Sequence, residues 1–350
     1  MATMTAAVLH GIGDLRIEQR PVPELGAPDH VLARIRAVGV CGSDVHFFTE
    51  GKIGPYVVER PLVLGHESCG EVVAVGSAVS IHRVGDRVAL EPGVPCRACR
   101  YCKEGRYNLC AAVGFMATPP YDGAYCEYVS WPADFAHLLP PGVDFEQGAM
   151  VEPLAVAVQA AKRAGVRLGQ SAAVLGAGPI GLLTMQVVRA AGCYPVVVTD
   201  VVESRLALAA KLGATATVNA GQGDAVAAIR EAAGGDGPDH CFETAGTVGT
   251  VRQAMQAVRL GGVVTLVGMI AQDEFPVAVM DVICREYDLR GVFRYCNAYP
   301  PALALLASRA VQVTPLITHR FPLERAREAL ELARDRKDVA VKVMVQVAGP

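Results

Sequence analysis

The sequence predicts an α/β chain, in which a doubly wound parallel sheet of six strands is joined to a mainly β, barrel-like domain. Three observations predict it. The stretch AAVLGAGPIGLLTMQVVRAAGCYPVVVTD, 172–200, reads as strand, tight turn, helix and strand in succession. Apolar runs and helix-period segments keep alternating after it, whereas the first 155 residues hold short β-rich runs broken by Gly and Pro. At 350 residues the chain is long enough for two domains, each with its own core.

In the first region the runs His30 to Val38, Glu71 to Val75 and Arg87 to Leu90 predict strands of an antiparallel barrel rather than βαβ units. The central region opens with a strand at Ala172 to Leu175, and Gly176-Ala177-Gly178-Pro179-Ile180-Gly181 leads into a helix to Ala191. A strand over Pro195 to Thr199, ending on Asp200, is followed by a helix to Leu212 and a strand at His240 to Glu243. A helix at Val248 to Val258, a strand at Val263 to Gly268 and a last strand near Leu289 to Phe293 follow, which names five strands of the expected six-stranded sheet. Ala302 to Ala310 and Leu323 to Arg334 are amphipathic helices.

Composition narrows the function. A net charge of −3 and the lack of a polybasic run exclude a nucleic-acid field. The uncharged run Leu168 to Val188 is broken by four glycines and a proline, which makes it a buried strand, turn and helix rather than a membrane span. The first residues lack a secretory signal, so the chain is expected in the cytoplasm. There, eleven cysteines are reduced thiols suited to metal rather than a disulfide framework.

Three constellations carry chemistry. In the glycine turn, Gly176 allows the sharp bend, Gly178 lets backbone N–H groups approach a pyrophosphate, and Gly181 lets helix and strand pack closely. Asp200, nineteen residues past Gly181, is placed to bind ribose hydroxyls and to repel a ribose phosphate, which specifies NAD rather than NADP. Second, Cys41 is followed twenty-five residues later by His66 and Glu67, a thiolate, imidazole and carboxylate set that suits zinc and leaves one position open. Glu152, in Val151-Glu152-Pro153-Leu154, is a fourth candidate. Third, Cys96, Cys99, Cys102 and Cys110, spaced x2, x2 and x7, can close a tetrahedron that leaves no open position and so serves structure.

These residues carry a resemblance. With GHESCGEVVAVGSAV (65–79), ATPPYDGAY (117–125), VEPL (151–154), GVFRYCN (291–297) and THRFPLERA (318–326), the chain resembles the zinc-containing medium-chain dehydrogenases, in their sorbitol (polyol) branch. The resemblance implies a Rossmann NAD domain over 156–295 and a discontinuous GroES-like catalytic domain over 1–155 and 296–350, with the active site in the cleft between them. It implies a catalytic zinc on Cys41, His66 and Glu67, with Glu152 bound directly or through water, a structural zinc on the four lobe cysteines, and a homotetramer. Asp44 is expected to accept from the far ring nitrogen of His66. Ser43 and His46 fall at proton-relay positions, and Glu152 is the alternative proton acceptor. For the cofactor it adds Ile180, Arg205, Val267, Gly268, Met269, Val292, Phe293 and Arg294. For the substrate it adds Phe47, Phe115, Thr118, Glu152, Arg294 and Tyr295, with Phe47 standing where the branch commonly has Tyr. The implied reaction interconverts a polyol and its ketose. A butanediol or L-threonine dehydrogenase is the rival enzyme, and a non-catalytic dinucleotide-binding protein the rival of another class.

Overall fold

A computed structural model describes residues 2–270, 272 and 274–347. By internal packing the chain divides into two units, Met1–Glu152 with Val313–Pro350, and Pro153–Gln312. Residues 296–312, assigned by resemblance to the first domain, pack with the second. Lys162 Nζ donates to the Asn297 carbonyl at 3.2 Å, and Gln186 exchanges hydrogen bonds with the backbone of Gln312 at 3.1 and 2.8 Å.

The second unit is built on six parallel strands. In space they run Ala216–Asn219, Val196–Asp200, Ala172–Leu175, His240–Glu243, Val263–Leu266 and Asp288–Gly291. In sequence terms this is the order three, two, one, four, five, six, so the direction of winding reverses between Ala172–Leu175 and His240–Glu243. Ala172 to Leu175 are all fully buried, which is why that strand reads as an unbroken apolar run. The edge strand Ala216–Asn219 is half exposed and carries Thr and Asn, so no apolar run announces it. The helix that follows, Ala225–Ala232, is capped by Asp224, whose carboxylate accepts from the N–H of Val226 and Ala227.

In the first unit a seven-stranded sheet runs Ala136–Leu138, Arg87–Leu90, Glu67–Val75, His30–Gly39, Lys342–Gln346 and Ile317–Pro322, with Tyr128–Pro132 also paired to His30–Gly39. Its pairings are antiparallel except for the last two strands, which lie parallel. Register shifts between Leu32 and Ala33 and between Ile35 and Ala37 bend the central strand. A second sheet joins Asp14–Pro21, Thr3–Gly11 and Leu62–Val63. The C-terminal strand thus lies against a strand from the first forty residues, and this pairing brings the end of the chain to the metal-ligand set.

Candidate metal and dinucleotide sites

Cys41 caps the N-terminus of the helix Gly42–Glu50, and His66 and Glu67 enter the strand Glu67–Val75 behind Gly65. Gly65 takes a φ of +85°, and a Cβ there would lie 2.6 Å from the Tyr125 ring, so glycine is required on both counts. One donor atom from each of Cys41, His66 and Glu67 falls within 4.8 Å of the others. Such a spacing and donor set fit a zinc ion with a position left over.

What holds the three together is a shell of buried polar groups. Asp44, 1% exposed, accepts from the N–H of Cys41 at 3.0 Å and of Gly65 at 2.9 Å, joining the two segments that carry the ligands. The Tyr125 hydroxyl donates to the same carboxylate at 3.4 Å. His66 Nδ1 lies 3.7 Å from Asp44, too far for a hydrogen bond, so Asp44 acts chiefly on the backbone rather than on the ring as expected. Burial pushes the Asp44 carboxyl up, yet the charge of His66 and the two backbone N–H groups outweigh it and leave it below its usual value.

Lys342 was not foreseen. It is 3% exposed, and its ammonium donates to both oxygens of Glu67 at 2.6 Å and to the Val40 carbonyl at 3.0 Å. Burial alone would lower its pKa, but the charge of Glu67, with smaller contributions from Cys41 and Glu152, raises it above the ordinary lysine value. The available signal was a lysine inside Ala340-Val341-Lys342-Val343-Met344-Val345, an apolar strand with no reason to hold a charge unless it is paired. Gly39 belongs to the same arrangement, because a Cβ there would lie 2.0 Å from a Glu67 oxygen.

Glu152 is 5% exposed in the first turn of the helix Val151–Ala164 and stands outside the three-donor group. Ser43 and His46 are half-buried on the helix Gly42–Glu50, His46 paired with Glu50 one turn on at 3.0 Å. Phe47, on the same helix, is buried in the apolar core of its unit. The Phe115 ring lies 5.5 Å from the His66 ring, and Thr118 closes the turn behind it through its N–H to the Phe115 carbonyl.

The four lobe cysteines also bring their sulfurs within 4.8 Å of one another. Backbone N–H groups of Ala98 and Cys99 draw the Cys96 thiol down to about 6, whereas burial and neighbouring thiols push Cys102 up to about 12. The lobe is fastened by its own side chains. Tyr107 donates to the buried Glu91 at 2.6 Å, and Arg97 pairs with Asp134 at 2.7 Å while lying over the Phe135 ring.

In the second unit Gly176 has a φ of +108°, and a Cβ on Gly181 would lie 1.8 Å from the Gly176 carbonyl oxygen. Gly178 caps the helix Pro179–Ala190, which has no side-chain cap to take up its first N–H groups. The arrangement fits a pyrophosphate. Asp200 accepts from the N–H of Ala177, Val201 and Val202 at 2.7, 2.8 and 2.9 Å, and of a carboxylate's roughly four acceptor positions one remains for a ribose hydroxyl. The Arg205 guanidinium reaches to 4.0 Å from where a Gly178 Cβ would be. Ile180 is half-buried in the first turn of the helix. Val267 and Gly268 donate to the Glu243 carbonyl and Val292 to Leu266, leaving Met269 and Phe293 exposed beyond the strand ends. Arg294 has a φ of +51° and lies over the Phe293 ring, and buried Tyr295 packs on Tyr299.

A switch-point crevice lined by glycine and a zinc-type donor set define a metal-dependent dehydrogenase. Residues 27–141 match the alcohol dehydrogenase GroES-like domain, and residues 179–308 match the zinc-binding dehydrogenase domain. The chain is 44% identical over 342 residues to sorbitol dehydrogenase of Bacillus subtilis (strain 168), covering 98% of this chain and 97% of that one. It is 46% identical over 341 residues to sorbitol dehydrogenase of Mus musculus, covering 97% and 94%. A zinc-binding dehydrogenase from Sinorhizobium meliloti 1021, solved bound to NADP, superposes with a TM-score of 0.92 at 33% identity over 99% and 100% of the two chains. The chain belongs to the zinc-binding medium-chain dehydrogenases. Within them it falls in the sorbitol dehydrogenase branch.

Proposed function

We propose that the protein is an NAD-dependent, zinc-requiring dehydrogenase that oxidises a secondary hydroxyl of a sugar alcohol such as sorbitol or xylitol to the ketose. The observation that carries this reading is the convergence of Cys41, His66 and Glu67 within 4.8 Å, with Asp44 and Lys342 buried behind them. These three residues would hold the catalytic zinc, and the lobe cysteines a second, structural one. Zinc, when bound, supplies the Lewis acidity that makes an alcohol a strong enough acid to lose its proton near neutral pH.

The chain's own residues do the rest. Asp44 fixes the spacing of the two ligand-bearing segments, and Lys342 balances the Glu67 charge. Glu152 takes the hydroxyl proton, directly or through a water, or Ser43 and His46 pass it outward. Arg294, Tyr295 and Thr118 hold the remaining hydroxyls and Phe115 forms an apolar wall, while Phe47, buried in the core, offers the substrate no contact. The helix N-terminus at Gly178 receives the pyrophosphate and Arg205 flanks the turn, while Asp200 selects NAD over the NADP bound by the Sinorhizobium relative. Backbone at 267–269 and 292–294 would border the nicotinamide of a bound cofactor.

The assembly is proposed as a homotetramer. Val279, Met280 and Ile283 are each more than half exposed on the helix Val279–Arg285, which precedes the strand Asp288–Gly291 at the end of the sheet, and an exposed apolar helix and a sheet edge suit a second copy. Among the described residues no helix is long and apolar enough to cross a membrane. All eleven cysteines are free thiols, which suits a reducing cytoplasm.

Phe47 favours one alternative. Without the hydroxyl common at that position, a smaller vicinal diol such as butanediol is a competing substrate. A panel of sorbitol, xylitol, butanediol and threonine, each with NAD and with NADP and followed by reduced-cofactor absorbance, tests the reading. Polyol-dependent NADH formation is expected, and preference for butanediol or threonine would overturn the substrate class. Asp200→Ala should raise the KM for NAD about tenfold and erode discrimination against NADP, by loss of hydrogen bonds to a charged group. An unchanged cofactor ratio would show that the acid was misassigned.

A further inference from the structure

Glu243 ends the strand His240–Glu243, the first strand past the reversal of the sheet, and is fully buried. Its Oε1 accepts three hydrogen bonds, from the N–H of Ala245 at 2.9 Å, the N–H of Gly246 at 2.7 Å and the Thr250 hydroxyl at 2.7 Å. Its backbone carbonyl accepts from Val267 at 2.9 Å and Gly268 at 3.0 Å. One residue therefore ties together the turn 244–247, the first turn of the helix Val248–Ala257 and the backbone leaving the strand Val263–Leu266.

The other oxygen, Oε2, is buried with no hydrogen-bond partner and lies against Gly268. A Cβ on Gly268 would sit 2.7 Å from that oxygen and 2.4 Å from the Gly246 nitrogen. A Cβ on Gly246, which has a φ of +71°, would lie 2.4 Å from the Met269 carbonyl oxygen. The two turns are thus in backbone contact with the carboxylate wedged beneath them. From the neighbouring position the Thr244 hydroxyl reaches the Leu175 and Gly176 carbonyls, both at 3.0 Å, and extends the network to the glycine turn.

Burying a carboxylate with one oxygen unsatisfied is expensive, and an apolar side chain of like volume would avoid that cost. It could not, however, hold the Ala245 and Gly246 N–H groups inward, nor fix the separation of the turns. Ligands of open α/β sheets bind outside the carboxyl ends of the strands at this reversal, which is where these turns lie.

We propose that Glu243 is a positioning residue for the dinucleotide, holding the turns at 244–246 and 267–269 at the separation the cofactor requires while touching none of it. This rests on the dinucleotide reading given above.

The test is NADH binding to Glu243→Gln and Thr250→Val, followed by NADH fluorescence, beside the thermal midpoint, the zinc content and the kcat at saturating NAD and polyol. Weakening hydrogen bonds to a charged acceptor predicts an NADH Kd raised about tenfold in Glu243→Gln and about threefold in Thr250→Val. Zinc content should not change, and kcat should stay within about twofold, since the loss falls on binding. A purely structural role would lower the midpoint and leave the Kd of both folded variants at the wild-type value, which would overturn the proposal. Should Glu243→Gln fail to fold, Thr250→Val decides. The parent protein and Asp200→Ala separate the two levels: if the parent itself binds no NADH, the dinucleotide reading falls. If Asp200→Ala alone weakens binding, only the role of Glu243 does.

Discussion

Two clusters in the first unit bring metal-binding side chains within the same 4.8 Å, by opposite means. The lobe takes four like donors from fifteen consecutive residues, and two of its sulfurs accept from backbone N–H groups of the same loop at 3.4 Å. The Cys41, His66 and Glu67 set takes three unlike donors from separate segments. It depends on Asp44, Tyr125 and Lys342, the last 275 residues from its partner. Local chain geometry suffices to make a closed, structural site. An open site with unlike donors has to be held from outside, by groups that the fold alone delivers.

The sharpest way to break this comparison is to remove one ligand from each cluster. His66→Ala should lower turnover by about three orders of magnitude or more, since the Lewis acid is lost with its ligand. Metal analysis should then find one zinc per subunit, against the two proposed for the parent. Retained turnover would dismiss the cluster as the reacting centre.

Lys342→Met comes next. Without metal it leaves the Glu67 carboxylate buried and unpaired, a loss of about 3–5 kcal/mol in unfolding free energy. Loading with zinc should recover much of that loss, because the cation replaces the missing charge. Urea unfolding of zinc-free and zinc-loaded protein measures both. Equal losses in the two states would mean that Glu67 faces away from the metal.

Cys99→Ser should have the smallest effect on chemistry. The lobe zinc is lost and the thermal midpoint falls by several degrees, yet turnover at 25 °C stays within about twofold, because Glu91 and Asp134 still fasten the lobe. A collapse of turnover comparable to that of His66→Ala would erase the distinction between the two clusters.

The same contrast explains what was legible in the residues. The glycine turn, the four lobe cysteines and the strand Ala172–Leu175 are each written in a few consecutive positions, and the fold realises them as read. The edge strand Ala216–Asn219 went unread because its half-exposed Ala-Thr-Val-Asn carries no apolar period. Asp44 was expected to orient a ring and instead joins two backbone segments, which spacing along the chain cannot reveal. Glu152 reads from the sequence as a fourth donor, whereas the group that converges is Cys41, His66 and Glu67.

By itself the sequence determined the alternation that makes a doubly wound sheet, the glycines that bend its tight turn, and the four closely spaced cysteines able to hold a metal, since each depends on near neighbours along the chain. Tertiary structure alone decided that Lys342 would meet Glu67 and that Glu243 would brace two turns from beneath. Buried charges are satisfied by whatever partner the packed chain brings near. Separation along the sequence does not record which partner that is.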